Sequence, residues 1–587
     1  AVASVEGEEF TAEVLAWVQG EQEEAVIRTL SGPLSREHRL VQALTLRRLG
    51  EQRLSGYRFR HCLFQSYLYQ RLDEVQRARL HEEVANALEA LHGATPRSAV
   101  EDYYRGAASR WDMLLAGQRA GVTAVAGQLA RHFQAAGLMA KAVSYLQQAG
   151  ERALSFVAHQ EAFAHFNKAL ELLSTMPETP ARARAEFNLQ AGLILVLDGL
   201  RGLASPERGH VIARAYELAQ QLGDALPLGS ALYHLHWFHL HRGEVRLAMR
   251  LTQQIIDLTE RKLPRYLPDV HLCLAADLYT CGDFPAAREC LEGLLVPNAP
   301  PFSGDHEYSA RTYLAFTRWY LGYPDQALQI SQRNLSLAYE TEDLETITNV
   351  LGECGAVFHQ LRCELHATLE GAQHLLSHTS EGKWPLRWAK GMVLKGWADA
   401  HGEQAARAIT EMCQGLAVWR ATGEAARVPH WLALLAEGYA LAGQPDEGLR
   451  AIAEALEQVE RTDECFYEAE LHRLRGELLW QKVKGTAEYR SVDEGGRAGP
   501  ARSEGMRDDK EPSAEECFLK AIEVARRQEA KSWELRATMS LARLLHEQGR
   551  AGEAREMLAA IYGWFTEGFG TPDLQGAKAL LEQLSRG

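Results

Sequence analysis

The sequence predicts an all-α fold in which about ten helical hairpins stack into a right-handed superhelix, preceded by a small domain that contains a β-hairpin. Three observations predict it. Glycines return about every forty residues, at Gly243, Gly282, Gly322, Gly402 and Gly443. Gly137, Gly243, Gly282, Gly322 and Gly549 are each followed five residues later by alanine (Ala142, Ala248, Ala287, Ala327 and Ala554), and Gly443 by Gly448. Upstream of the glycine, Leu129-Ala130-x-x-Phe133, Leu274-Ala275-x-x-Leu278, Leu435-Ala436-x-x-Tyr439 and Leu541-Ala542-x-x-Leu545 fall at the same offsets of eight, seven and four residues. A hairpin of this size has too little apolar surface to stand alone and buries it on the next, so stability is spread along the array and the long concave face is left for function.

Residues 1–95 do not follow the period. Short helices are predicted over 10–18, 21–30 and 37–44, then a β-hairpin in LTLRRLGEQRLSGYRFRH around Gly50 and Ser55-Gly56. Helices over 62–70 and 75–91 follow, the second with Leu80, Val84, Ala87, Leu88 and Leu91 at helical spacing. This domain reads as winged-helix-like, and residues 96–124 as a linker helix region. The array then occupies 125–587. Its helix pairs are 125–136 with 138–149, 150–157 with 160–174, 181–199 with 206–222, and 226–242 with 244–260. They continue as 266–281 with 283–295, 305–321 with 323–340, 343–360 with 362–378, 384–401 with 403–421, and 425–442 with 444–460. In one repeat Gln360 and Leu361 stand where the glycine is expected. The next hairpin, 464–483 with 513–527, is interrupted by the polar, Gly-rich stretch KGTAEYRSVDEGGRAGPARSEGMRDDKEP, expected to be a disordered insertion at about 485–511. Helices over 531–548, 550–562 and 572–585 close the superhelix.

A net charge of −15 argues against wrapping nucleic acid along the surface, which requires clustered Lys and Arg, so nucleic acid is not an expected partner. The exception is residues 39–61, where Arg39, Arg47, Arg48, Arg53, Arg58 and Arg60 face the single acid Glu51. Nine cysteines with no C-x-x-C pair read as thiols of a reducing cytoplasm. No stretch approaches the ~18–20 apolar residues of a spanning helix, so no membrane partner is expected. The N-terminal AVASVEGEEF does not read as a signal peptide, and with no initiator Met the chain is expected to be a piece of a longer polypeptide.

The Leu-small-x-x-aromatic first helix, the glycine turn and the alanine of the second helix resemble the tetratricopeptide repeat (TPR). The segment YRFRHCLFQSYLYQRLDEVQRARLHEEVANALEAL resembles the end of the winged-helix module of signal-transduction NTPases of the STAND class, with its F-x-H strand, F-x-x-x-x-Y helix and R-x-x-L-H helix. IYGWFTEGFGTPDLQGAKALLEQL is similar to the closing segment of large bacterial proteins that join a class III nucleotide cyclase or a DNA-binding regulator domain to an AAA-type ATPase and a repeat array. These resemblances imply a signalling ATPase whose ATP- or ADP-binding domain lies upstream, because no G-x-x-x-x-G-K-[ST] loop occurs in this chain. They also imply that His61, at the end of its strand, reaches the β-phosphate of the nucleotide held by that domain.

Histidines 234, 236, 239 and 241 look like a metal cluster, but only His236 and His239 share a helical face, so no metal is expected. No H-E-x-x-H, G-x-S-x-G or dinucleotide fingerprint is present, and no catalytic residue is assigned in this chain. The repeat register places Tyr233, Trp237, Tyr279, Phe316, Trp319 and Tyr320 on inward positions of three successive repeats. Such a strip suits a peptide, protein or small molecule, because aromatics give large contact area for few rotors. The expected function is a cytoplasmic sensor module that binds a ligand in the groove and controls an upstream NTPase and effector, with ligand-induced self-association as one output. A constitutive scaffold without a nucleotide switch is the alternative.

Overall fold

The computed structural model describes residues 1–44, 46–49, 52–93, 125–296, 306–402, 405–493 and 512–586. The linker expected at 96–124 lies outside these residues. The chain divides into two compact units, one of residues 1–196 and 211–228, the other of residues 197–210 and 229–587.

In the first unit, helix Val2–Glu6 leads into strand Glu9–Thr11, helices Ala12–Gln19 and Glu23–Thr29, and a wider π-type turn at Leu30–Glu37. Strand Gly56–Phe59 runs antiparallel between Glu9–Thr11 and Val41–Ala43, with Phe10 opposite Tyr57 and Val41 opposite Phe59. The predicted hairpin forms from Arg47–Leu49 and Gln52–Leu54. The helix predicted at 10–18 forms but starts at Ala12, after strand 9–11, and the helix predicted at 37–44 is corrected to strand 41–43, because Phe10, Val41, Tyr57 and Phe59 bury alternating side chains on one face of the sheet. The Glu13 carboxylate accepts the Ser55 amide (2.9 Å) and ties the second helix to the sheet. Helix Glu74–His92 begins with a reciprocal capping box between Asp73 and Gln76.

The repeats begin with Ala126–Ala135, Met139–Ser155 and His159–Ser174. The second helix of the pair predicted at 125–136 with 138–149 and the first helix of the pair predicted at 150–157 with 160–174 are one continuous helix, and the turn falls later, where Val157 adopts φ 57°. His81 and His132 meet inside this unit, Nδ1 to Nδ1 at 2.8 Å, and Tyr69 Oη contacts His81 Nε2 at 3.0 Å.

In the second unit the hairpins follow in order: Leu267–Cys281 with Phe284–Leu294, His306–Tyr320 with Pro324–Glu340, Pro385–Ala400 with Ala405–Ala421, Val428–Leu441 with Pro445–Thr462, and Lys531–Glu547 with Ala551–Tyr562. Between the second and third of these, Leu344–Val350, a π-type stretch Leu351–Val357 and Phe358–Leu361 form one first helix against Leu365–His378. There a Cβ on Gly371 would lie 2.0 Å from the Gly355 carbonyl oxygen, so the two backbones approach as closely as glycine allows. The turn glycines 243, 282, 322, 443 and 549 are all left-handed, at φ 70–90°, and the alanines five residues after four of them are fully buried. The repeat without a turn glycine uses Cys363, at φ 56°, rather than Gln360 or Leu361. Gly402 is not left-handed. The helix predicted to end at Val483 runs from Glu468 to Asp493, so the expected insertion at 485–511 begins inside it; residues 494–511 lie outside the described residues. Among the described residues no helix is long and apolar enough to cross a membrane.

This unit also closes on itself. The amides of Ala425 and Ala426 donate to the His241 carbonyl, at 2.9 and 3.0 Å, and the Cys465 amide donates to the Thr280 carbonyl (2.8 Å). The Ser532 hydroxyl donates to the Trp319 carbonyl (2.6 Å) and Arg536 to the Leu361 carbonyl (2.5 Å). The turns at Gly243, Gly282 and Gly322 therefore each meet a segment far along the chain, at residues 425–426, 465 and 532 respectively.

Candidate functional site: the inner face of the repeats

The first helices of successive hairpins supply the inner face of the second unit, and the turn-to-loop contacts decide how much of that face is open. Tyr279, Phe316, Trp319 and Tyr320 are not on an open groove. All four are at most 3% exposed and belong to the main hydrophobic core. The reason is the closure of the array. Trp319 meets Trp533 edge-on (5.0 Å between centroids), Tyr279 stacks on Phe466 (5.3 Å) and Tyr320 on Phe284 (4.4 Å). Rings contributed from hairpins far along the chain cover positions that a single repeat would leave bare.

Tyr233 and Trp237 remain half-buried. Tyr233 Oη lies 2.8 Å from His306 Nε2, and His306 Nδ1 lies 2.7 Å from Asp269 Oδ1. The tautomer with its proton on Nδ1 satisfies both contacts: Nδ1 donates to Asp269 while Nε2 accepts from Tyr233. Trp237 packs edge-on to Tyr233 and His236. Tyr313, which the sequence reading missed, is half-buried beside Tyr279 at 5.1 Å. The four clustered histidines point at different partners: His236 at Asp277, His239 at Glu244, His241 at Glu424, and His234 is buried, which pushes it down to about 3. Asp277 also accepts from the Thr252 hydroxyl (2.6 Å), but His236 and Asp277 are fully sealed from solvent, so no substrate reaches that chain. Among the described residues no group of three or more His, Cys, Asp or Glu is arranged to hold a metal ion.

The centre of the face is charged. The Glu353 carboxylate sits between Lys390 and Arg427, with Arg427 Nη2 2.9 Å from Oε2 and Lys390 Nζ on Oε1. Arg387 pairs with Glu345 (3.5 Å) and donates to Thr348 Oγ1 (2.9 Å) at the edge of the same cluster. Burial opposes the Glu353 charge, but Arg427 and Lys390 outweigh it and hold the carboxyl below its ordinary range. Burial lowers Lys390 despite Glu353. Arg427 is left-handed at φ 63°, donates its amide to Glu464 Oε1 (2.7 Å), and lays its guanidinium over Phe316 at 5.6 Å. Burial pushes Glu464 up to about 8, so it is neutral at pH 7.

These residues share a signal that the sequence does carry. Tyr279, Phe316, Glu353, Lys390, Arg427 and Glu464 succeed one another at a constant interval of 37 residues. The glycine spacing near 40 hides it, because the line descends from the end of one first helix to the start of another.

His61 stands exposed at the start of helix Cys62–Gln70, where its Nδ1 accepts the Leu63 amide (3.3 Å). Of the nearby arginines, Arg58 is paired with Glu9 and Arg60 donates to the Val41 carbonyl (3.3 Å).

Fold and site together describe an array of tetratricopeptide-like helical hairpins with a polar and aromatic inner face. No family model matches the chain. An uncharacterized protein of Rhizobium meliloti (strain 1021) is 24% identical over 438 residues, which are 72% of this chain and 40% of that protein. The chain thus spans less than half the length of that relative. Among solved structures it is similar to a Rap protein complexed with competence and sporulation factor (12% identity, 61% of this chain and 97% of that one, TM-score 0.36). It is also similar to the human IFIT1 dimer with PPP-AAAA (13%, 76% and 90%, TM-score 0.35) and to the APC/C hetero-tetramer Cut9–Hcn1 (11%, 89% and 95%, TM-score 0.43).

Proposed function

We propose that this chain is the sensor and regulatory module of a cytoplasmic STAND-type signalling ATPase in bacteria. A peptide or protein segment binds the inner face of the repeats, and the winged-helix-like domain passes the change to an upstream NTPase and its cyclase or DNA-binding effector, with self-association as one output. The observation that carries this reading is the inner face itself. Tyr233, Trp237 and Tyr313 are half-buried rather than sealed, and Trp237 and Tyr313 border one apolar cluster, with Tyr313 in the field of Arg427 and Glu353. That arrangement offers aromatic anchoring to one extended segment. On this reading the array has a second arrangement, one in which the turn-to-loop contacts open, which a segment entering the face would favour. The helix–strand–helix–helix–strand–hairpin–strand order of residues 1–59 and the position of His61 after the last strand support the winged-helix part. By that reading His61 faces the β-phosphate of a nucleotide held upstream.

Mass spectrometry of what co-purifies with the chain tests the reading. A peptide or protein retained by the native sequence and released by Trp237→Ala, in a variant that stays helical by circular dichroism, is the expected result. Retention unchanged by Trp237→Ala would refute the inner face as the site. In a polypeptide that also carries the NTPase domain, ligand affinity should differ between the ATP and ADP states; equal affinities would leave only a constitutive scaffold.

A further inference from the structure

We propose that Cys281 and Cys465 form a redox staple, a reversible disulfide that locks one turn of the repeat array onto the next. The two cysteines are 184 residues apart in sequence and belong to different hairpins. Cys281 ends helix Leu267–Cys281, and Cys465 lies in the loop before helix Glu468–Asp493. Closure of the array brings them together, because the Cys465 amide donates to the carbonyl of Thr280, the residue bonded to Cys281, at 2.8 Å.

That one hydrogen bond fixes the separation. Across a trans peptide the Cα of residue 281 lies about 2.8 Å from the Thr280 oxygen, and the Cα of residue 465 lies about 3.7 Å from the same oxygen through its own N–H. The two Cα atoms are therefore at most about 6.5 Å apart, inside the span over which disulfides form. The side chains share surroundings as well. Both thiols feel the Asp463 carboxylate, and Cys281 is among the charges that act on Cys465. Both are free and half-buried, within reach of a small oxidant. The site is held on a third side by Gln528, whose Nε2 donates to the Cys465 carbonyl (2.8 Å) and rests against Gly282.

The chemistry is thiol–disulfide exchange with a low-molecular-weight disulfide such as oxidised glutathione. The Cys281 thiolate attacks one sulfur of the oxidant, forming a mixed disulfide and expelling one small thiolate, which takes up the proton Cys281 lost. The Cys465 thiolate then attacks the Cys281 sulfur, the protein disulfide forms, and a second small thiol leaves with the proton from Cys465. Two protein thiols and one small disulfide become one protein disulfide and two small thiols. Burial pushes Cys281 up to about 11 and Cys465 to about 12, with neighbouring carboxylates adding to the shift. Few thiolates are present at neutral pH, so closure is slow there and accelerates about tenfold per pH unit for each exchange step. The same high values make both sulfurs poor leaving groups, so the staple, once closed, resists reduction.

The test is incubation of the intact chain with oxidised glutathione at pH 8.5, followed by thiol blocking, non-reducing digestion and mass spectrometry. The expected product is a cross-linked peptide pair containing Cys281 and Cys465, lost in both Cys281→Ser and Cys465→Ser and reversed by dithiothreitol. Stable glutathione adducts on both cysteines with no cross-link would overturn the proposal. So would a cross-link joining either cysteine to a different partner. Because the first readout uses the native sequence, a misfolded variant leaves it intact.

Discussion

Replacing Glu353 by Gln tests whether the charged line through the inner face holds the array together. The side chain keeps its shape and loses its charge, leaving Lys390 and Arg427 without their shared carboxylate. At 2.9 Å and an effective dielectric of 20, the Arg427–Glu353 attraction is about 6 kcal/mol before desolvation. Glu353 is 14% exposed, Lys390 7% and Arg427 17%, so water recovers only part of that loss. Removing one partner from a buried pair typically costs about 3–5 kcal/mol, and the lower end applies because Gln still accepts one hydrogen bond. The expected result is therefore a loss of about 3 kcal/mol in urea denaturation of the second unit, followed by tryptophan fluorescence. Glu457→Gln, on an exposed helix position, is the control and should stay within about 0.5 kcal/mol of the native chain. A Glu353→Gln midpoint equal to the control's would refute the reasoning. Replacing Glu353, Lys390 and Arg427 together by Leu, Met and Met should recover most of the loss, since all three charges are then gone.

Acidification should loosen the first unit. Burial lowers His81 to about 4 and His132 to about 3, below the ~6.5 of an unfolded histidine. The unfolded chain then binds protons first, so stability is full above about pH 6.5 and falls as pH drops towards 4, by about 3 kcal/mol for each histidine and about 6 kcal/mol for the pair. Thermal melts of His132→Asn across that range should show a shallower slope; an unchanged slope would assign the acid sensitivity elsewhere. Gly371→Ala should destabilise by about 2 kcal/mol by circular dichroism melting, although alanine gains about 1 kcal/mol in helix propensity, because its Cβ meets the Gly355 carbonyl. A neutral or stabilising result would mean the two helices can separate freely.

The hairpins were legible because their determinants are local. A left-handed glycine, a buried alanine five residues on and a Leu-small pair before the turn all act within one hairpin. Cys363 escaped the pattern because a cysteine holds the left-handed turn position at some cost in strain. Strands 9–11 and 41–43 escaped it because three residues carry too little alternation to outweigh helix-forming neighbours. The repeat register that assigns Tyr279, Phe316, Trp319 and Tyr320 to inward positions carries no information on depth, and all four are sealed in the core. Their covers, including Phe466 and Trp533, arrive from hairpins four or more repeats on, and how far the array advances in each turn leaves no period in the sequence. Arg427 and Lys390 were missed for a related reason. Read singly, each is an ordinary surface cation, and only the 37-residue interval that links them to Glu353 marks them in the sequence.

The constant 37-residue interval from Tyr279 to Glu464 restricts how this part of the chain can change length. A residue inserted between two members, within a helix, rotates the next one by about 100° around its axis and carries it off the shared line. Five consecutive intervals are thereby bound to one length, whatever substitutions their surfaces accept. The long polar stretch around 485–511 falls after Glu464, just beyond the last interval, where extra residues displace nothing on that line. Variation in length among related chains should be rare from 279 to 464 and concentrated in the polar stretch at 485–511.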